Sequence, residues 1–255
     1  MNSTRRGIIR ELLNEKPFLS LKELEERFSD VSGMTLRRDI EYFEKQGEAI
    51  KVRGGARSMK FITTTLEDSF RHRLDENVDA KDKIASRAVG FIETGRSLFF
   101  DSGTTMLRLA AMLPDERLTI TTTGPNVALE LIQKKQPIVN LVGGMINRDN
   151  ISISGNQALK FLSDINIDVA FIVPSGLSLK DGFTGGNYSE CELKRMVIEK
   201  ARRVIVLMDK SKIGCSQPFT FSSLDAVHTI ISDDYLPDDL TKAAGAAGVQ
   251  IIVAD

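Results

Sequence analysis

Tryptophan is absent from the chain, cysteine and histidine occur twice each, and no long run of uncharged apolar residues interrupts the sequence. Each shortage removes a class of function. Cys191 and Cys215 stand in no CxxC or comparable spacing, and with His72 and His228 they offer too few soft ligands for a zinc site. Both read as free, reduced thiols. Without a bilayer-length apolar stretch or a signal-peptide pattern behind the amino terminus, no membrane partner is expected and the protein is placed in the cytoplasm. No GxxxxGK followed by Ser or Thr occurs, and no GxGxxG follows an expected strand, so the chain shows no nucleotide-binding loop and no cofactor is expected.

A large excess of one charge is lacking too. The formal net charge of −1 argues against a nucleic-acid partner if taken as a total. The distribution is uneven, however: residues 1–60 carry 13 Lys+Arg against 10 Asp+Glu, and the remainder carries 21 against 25. At 255 residues, with 42% hydrophobic and 27% charged side chains, the chain can fold as two globular domains.

Three short amphipathic segments open it. Ile9, Leu12 and Leu13 share one face, with Ser3 placed as a cap; Ser20 and Glu23 make a capping box ahead of Leu21, Leu24 and Phe28. After a turn at Ser29 and Asp30 comes SGMTLRRDIEYFEKQG, residues 32–47, where Ser32 caps, Leu36, Ile40 and Phe43 turn inward, and Gly47 stops the helix. That periodicity leaves Met34, Thr35, Arg37 and Arg38 outside. A short helix, a turn and a second helix with an outward Arg/Thr face is the geometry that enters the DNA major groove. Directly after it, AIKVRGGAR alternates Ile50 and Val52 with Lys51 and Arg53 and breaks at Gly54-Gly55, the pattern of a β-hairpin wing with exposed cations. Any charged helix face is usually just solvated; here three helices, two caps and a basic hairpin together favour DNA. Candidate DNA contacts are Ser32, Met34, Thr35, Arg37, Arg38, Lys51 and Arg53.

These residues resemble the winged helix-turn-helix of the DeoR family of bacterial transcription regulators, with Ser32, Thr35, Leu36, Arg37, Arg38, Asp39, Ile40 and the Gly54-Gly55-Ala56 step on the family's motif. Domain boundaries are expected at 1–57 for the DNA reader, 58–80 for a charged, partly helical connector and 81–255 for a larger domain. In the connector, His72 reads as solvated or salt-bridged, and the resemblance implies that Phe70 and Arg73 join the two domains.

From residue 81 the pattern becomes α/β. Near-continuous apolar runs (SLFFD, LTITTT, IVNLV, DVAFIV, RVIVLMD, VHTIIS, VQIIV) alternate with helical segments, which implies a largely parallel sheet covered on both faces, with ligands at the strands' carboxyl ends. Those ends carry Asp101-Ser102-Gly103-Thr104-Thr105, then Thr121 to Thr123 before Pro125, then Gly143-Gly144, and later Asp209-Lys210-Ser211-Lys212. Ser, Thr and Gly at a helix start suit a phosphate, but equally suit caps and tight turns; their convergence on one sheet edge favours a small anion, with Lys212 to neutralise it. The order DSGTT, GG, DVAFIVPSG, GFT, DKSKIG is similar to the DeoR-type effector domain, whose fold is akin to ribose-5-phosphate isomerase and the coenzyme A transferase group. The resemblance implies that Asp101, Ser102, Gly103, Thr104 and Thr105 hold a sugar phosphate, with Thr123, Gly143, Gly144, Gly176 and Lys212 as further candidates.

The expected function is a DNA-binding regulator, a repressor of a carbohydrate operon released by a phosphorylated sugar and working as a homo-oligomer, dimer or tetramer, held through residues 81–255. The rival is a sugar-phosphate isomerase using Asp101, Glu190, Lys194 and Lys212 as acids and bases; a DNA-architectural protein without effector is the third reading. A metabolic enzyme has no use for residues 32–47, so an enzyme is not expected.

Overall fold

The computed structural model describes residues 2–16, 18–52, 54–58 and 70–255, with the backbone alone at 2–4 and 57. The chain divides into two compact units, Met1–Leu66 and Glu67–Asp255.

The first unit holds helices α1 (Asn2–Glu15), α2 (Leu21–Arg27) and α3 (Gly33–Lys45) and a three-stranded antiparallel sheet of β1 (Phe18–Ser20), β3 (Gly55–Ser58) and β2 (Ala49–Val52), in that order. Ile9, Leu13, Leu24, Leu36, Ile40 and Phe43 form its core, as their spacing dictates. Ser20 Oγ accepts from the Glu23 amide at 3.0 Å, but Glu23 does not close the capping box; its carboxylate takes Lys16 instead. Ser32 Oγ accepts from the Thr35 amide at 3.3 Å, and Gly47 ends α3 at φ 73°. The wing differs from expectation in its register. Ala49 points into the core and Ile50 is 40% exposed, because β2 follows Gly47 closely enough that its first residue reaches Phe43 before Ile50 can. Gly55 is required by contact: a Cβ there would lie 2.2 Å from the Leu19 carbonyl oxygen of β1. The Ser3 side chain and Arg53, read from the sequence as a cap and a wing cation, lie outside the described residues.

The second unit begins earlier than the expected boundary. Residues 70–80 of the expected connector are built into it as α4 (Phe70–Asp75) and the start of α5 (Val78–Val89); buried Phe70 donates its amide to the Asp149 carbonyl. Connector residues 59–69 lie outside the described residues. The unit's centre is a seven-stranded, all-parallel sheet of β4 (Ser97–Phe100), β5 (Thr119–Thr122), β6 (Ile138–Leu141), β9 (Ile167–Ile172), β12 (Ala201–Met208), β14 (Thr229–Ser232) and β15 (Gln250–Val253), ordered β15-β14-β12-β9-β4-β5-β6. Alternate residues of the strands feed two apolar layers. One packs Leu98, Phe100, Ile205 and Leu207 against α5 and α6 (Thr104–Met112); the other packs Phe99, Ala170, Val204 and Val206 against α8 (Asn156–Ser163) and α9 (Tyr188–Lys200). Helix α7 (Pro125–Leu131), started by Pro125 as expected, covers β5 and β6. Two small antiparallel additions did not stand out in the sequence: the pair β7 (Met145–Asn147) and β8 (Ser152–Ser154), and a sheet of β10 (Gly176–Ser178), β11 (Gly182–Gly185) and β13 (Phe219–Ser222). Helix α10 (Asp238–Ala246) precedes β15.

From β4 the chain moves outward through β5 and β6; from β9 it moves the other way through β12, β14 and β15. The strand order therefore reverses between β4 and β9, and in such sheets the crevice at the carboxyl ends of the two diverging strands is where ligands settle.

Candidate functional site

In the first unit, α3 presents a face with Met34 67% exposed and Arg37 and Arg38 exposed. Among the described residues neither arginine makes a hydrogen bond or ion pair. The next residue does the opposite. Asp39 is 1% exposed and takes Arg5 at 2.6 Å and Arg6 at 2.8 Å, while the Arg6 guanidinium lies 4.0 Å from the Tyr42 ring centroid. One turn of helix thus sends two cations outward and spends one carboxylate on locking α3 to α1. The sequence reading missed that lock; a carboxylate at the second position after an outward cation, with Arg5-Arg6 on the preceding helix, was the available signal. Lys51 is held back from the outer face: its ammonium pairs with Glu41 at 2.6 Å, and that contact holds the Glu41 carboxyl below the usual range. The Ser32 and Thr35 hydroxyls are 3.0 Å apart, engaged in the cap. Arg37, Lys51 and Val52 line one shallow cleft with Gly54 and Gly55, so helix and wing meet beside the arginine.

In the second unit, β4 and β9 end side by side. Asp101, 3% exposed, follows β4, and its carboxylate accepts from the Ser102 amide at 2.8 Å and the Val173 amide at 3.0 Å, which ties the two diverging strands together. Lys194 of α9 completes the knot at 2.9 Å. Asp101 is therefore occupied in shaping the loop. Beyond it Gly103, at φ 125°, turns the chain into α6 without a side-chain cap. The first-turn residues Thr104 and Thr105 line a cleft together with Ser102, Gly103 and Lys212. An uncapped helix start offers amide donors and the positive end of the helix dipole, both suited to a phosphate.

The cleft also gathers Arg73, Asn150 and Lys81, which the sequence reading did not place there, beside Glu190, which it named only in the isomerase alternative. Arg73 of α4 and Asn150 meet at 3.1 Å, and Asn150, Asn147 (2.9 Å) and Ser152 (2.6 Å) all donate to Glu190, which is 9% exposed. Lys81 is 4% exposed and donates to the Arg73 and Glu76 carbonyls, so burial pushes its pKa down although Asp209 opposes this. Asp209, itself buried, accepts from Asn77 at 3.2 Å. Among the described residues Lys212 makes no side-chain hydrogen bond or ion pair, so it is the cation that a ligand meets uncommitted. Thr123 lines a smaller cavity behind Asp101 with Ser152 and Glu190. Gly143, Gly144 and Gly176 line neither. A Cβ at Gly144 would lie 2.5 Å from the Ser154 carbonyl oxygen, and one at Gly176 would lie 2.5 Å from that of Cys215; these two glycines permit close strand packing.

Family comparison agrees with this architecture. Residues 5–61 match the model of the DeoR-like helix-turn-helix domain, and residues 76–234 match that of the DeoR C terminal sensor domain. The chain belongs to the DeoR family of transcription regulators. It is 30% identical to the HTH-type transcriptional regulator GlpR of Haloferax volcanii, over 97% of this chain and 96% of that one. To the glycerol-3-phosphate regulon repressor of Escherichia coli it is 31% identical, over 91% and 92%. A likeness to the solved ribose 5-phosphate isomerase A of Methanocaldococcus jannaschii has a TM-score of 0.40 at 19% identity and covers 54% of this chain and 55% of that one. The regulator is thus a DNA-binding protein with a sensor domain, and its relatives are regulators, not enzymes. Among the described residues no helix is long and apolar enough to cross a membrane.

Proposed function

We propose that this DeoR-family regulator represses a carbohydrate operon, that its cleft takes a phosphorylated sugar, and that occupancy lowers its affinity for operator DNA. The observation that carries the reading is the juxtaposition of the uncapped start of α6 with the uncommitted Lys212 in one cleft. The phosphate would lie on the amides of Gly103, Thr104 and Thr105 and on the hydroxyls of the two threonines, with Lys212 beside it, and the sugar hydroxyls would face the polar wall of Arg73, Asn150 and Glu190. Release from DNA is linkage: a ligand that prefers the state unable to span two half-sites lowers DNA affinity by its differential binding energy, typically about 1–3 kcal/mol. One winged helix makes few phosphate contacts, so operator binding calls for at least two copies. The isomerase reading is weakened by the same geometry. Asp101, Glu190 and Lys194, three of the four acids and bases that reading relies on, are all engaged by protein partners.

A thermal-shift screen tests the cleft. Phosphorylated sugars and the related polyol phosphate glycerol 3-phosphate are expected to raise the melting temperature where the corresponding unphosphorylated compounds do not. Equal stabilisation by free sugars, or none by any phosphate, contradicts the reading, and turnover of a sugar phosphate well above background would reinstate the enzyme.

A further inference from the structure

Among the described residues the outer edge of β6 pairs with no strand. Ile138 and Val142 donate their amides inward to the Leu118 and Thr122 carbonyls, at 2.8 and 3.0 Å, so strand alternation turns the N–H and C=O groups of Val139 and Leu141 away from the sheet. Soluble proteins normally protect such an edge with charges, proline or a bulge. Pro137 removes the next outward N–H before the strand, but Ile138-Val139-Asn140-Leu141 itself has none of these, and its side chains make the exposure worse: Ile138 is 59% exposed and Leu141 44%. Met145 and Ile146, which follow through Gly143-Gly144 and open β7, are 71% and 62% exposed. At the opposite edge of the sheet Ile251, Ile252 and Val253 of β15 are partly covered.

We propose that a second copy of this chain docks on that edge, β6 against β6, antiparallel about a two-fold axis at Asn140. The inference rests on the reading of the regulator as a homo-oligomer and names the surface that joins it. The strand is self-complementary. The residues with outward main-chain groups, Val139 and Leu141, are two apart, so rotation about Asn140 sets Val139 of each copy opposite Leu141 of the other, and each pair exchanges two hydrogen bonds. Asn140 then faces its own counterpart in a non-hydrogen-bonded pair, where Cα atoms stand about 4.5 Å apart. Four main-chain bonds would not hold two domains; Ile138, Leu141, Met145 and Ile146 of each copy supply the apolar burial that does. A two-fold contact uses the same patch on both partners, which is what an isologous dimer requires.

Sedimentation equilibrium of the full chain, wild type beside an Ile138→Glu, Leu141→Glu double variant, tests the surface. The wild type is expected to sediment as a dimer or tetramer, and the variant at half that mass with an unchanged circular-dichroism spectrum. Should the variant not fold, Asn140→Cys in a Cys215→Ser background decides: under mild oxidation it should become a disulfide-linked dimer, a bond whose usual Cα separation spans about 4.4–6.8 Å. Cross-linking also decides if the two experiments disagree. An oligomer of undiminished mass in the double variant, with no cross-link at Asn140→Cys, overturns the interface and leaves the oligomer reading standing. A monomeric wild type overturns both.

Discussion

Asp101 and Lys194 form a buried ion pair at 2.9 Å where the order of the parallel sheet reverses, between β4 and β9. The side chains are 4% and 10% exposed, and Asp101 also accepts the Val173 amide, so the pair fixes the distance between the two strand ends that frame the cleft. Removing one partner strands a buried charge, which typically costs about 3–5 kcal/mol. Lys194→Ala is accordingly expected to lower the denaturant stability of the second unit by about 3 kcal/mol or more. A loss under about 1 kcal/mol would mean that the ammonium is held for a ligand and not for the fold.

Neighbouring positions on α3 should behave in opposite ways. Arg37→Ala with Arg38→Ala is expected to abolish retention of a DNA fragment selected by the wild-type protein, with the melting temperature nearly unchanged, since neither side chain makes a hydrogen bond or ion pair among the described residues. Asp39→Ala should destabilise the first unit by about 3 kcal/mol, because it leaves Arg5 and Arg6 without their buried counter-charge. Calorimetry with gel retardation separates the two, and a melting loss in the double arginine variant would make the pair structural.

Ligand response should depend on the start of α6. Thr104→Val with Thr105→Val, or Lys212→Ala alone, is expected to preserve DNA binding and to reduce the thermal shift given by a sugar phosphate at least tenfold in ligand concentration. Undiminished response in both variants would place the phosphate elsewhere.

The two thiols should differ sharply. Burial pushes the Cys191 thiol up to about 11, against the opposing pull of Lys194 and Arg195, and its side chain is wholly covered. The thiolate is the reactive form. Native protein at pH 8 is therefore expected to take up one equivalent of a thiol reagent, at Cys215, and a second only after unfolding. Rapid labelling of both would show that α9 opens.

The helices of the first unit were legible because Leu36, Ile40 and Phe43 recur at helical spacing beside explicit caps, and the parallel strands because runs such as RVIVLMD are apolar on both faces. DSGTT was legible because it joins a strand to a helix directly. What the sequence hid are relations set by tertiary geometry. Arg73 stands 77 positions from Asn150, and nothing local marks it as part of the cleft. Gly144 and Gly176 look like ligand-loop glycines, and what the sequence could not show is the neighbouring carbonyl oxygen, 2.5 Å from a Cβ at each, that also excludes any side chain there. Ile50 looked inward by alternation, but the short link after Gly47 set the register at Ala49.

The central claim is that cleft occupancy and DNA affinity are tied. It is tested most directly by fluorescence anisotropy of labelled, protein-selected operator DNA titrated with wild-type regulator, with and without the sugar phosphate that gives the largest thermal shift. The account predicts a rise of at least tenfold in the DNA dissociation constant, equivalent to about 1.4 kcal/mol of coupling, absent with the free sugar and absent in Lys212→Ala. An identical DNA affinity with and without a sugar phosphate that demonstrably stabilises the protein would contradict it.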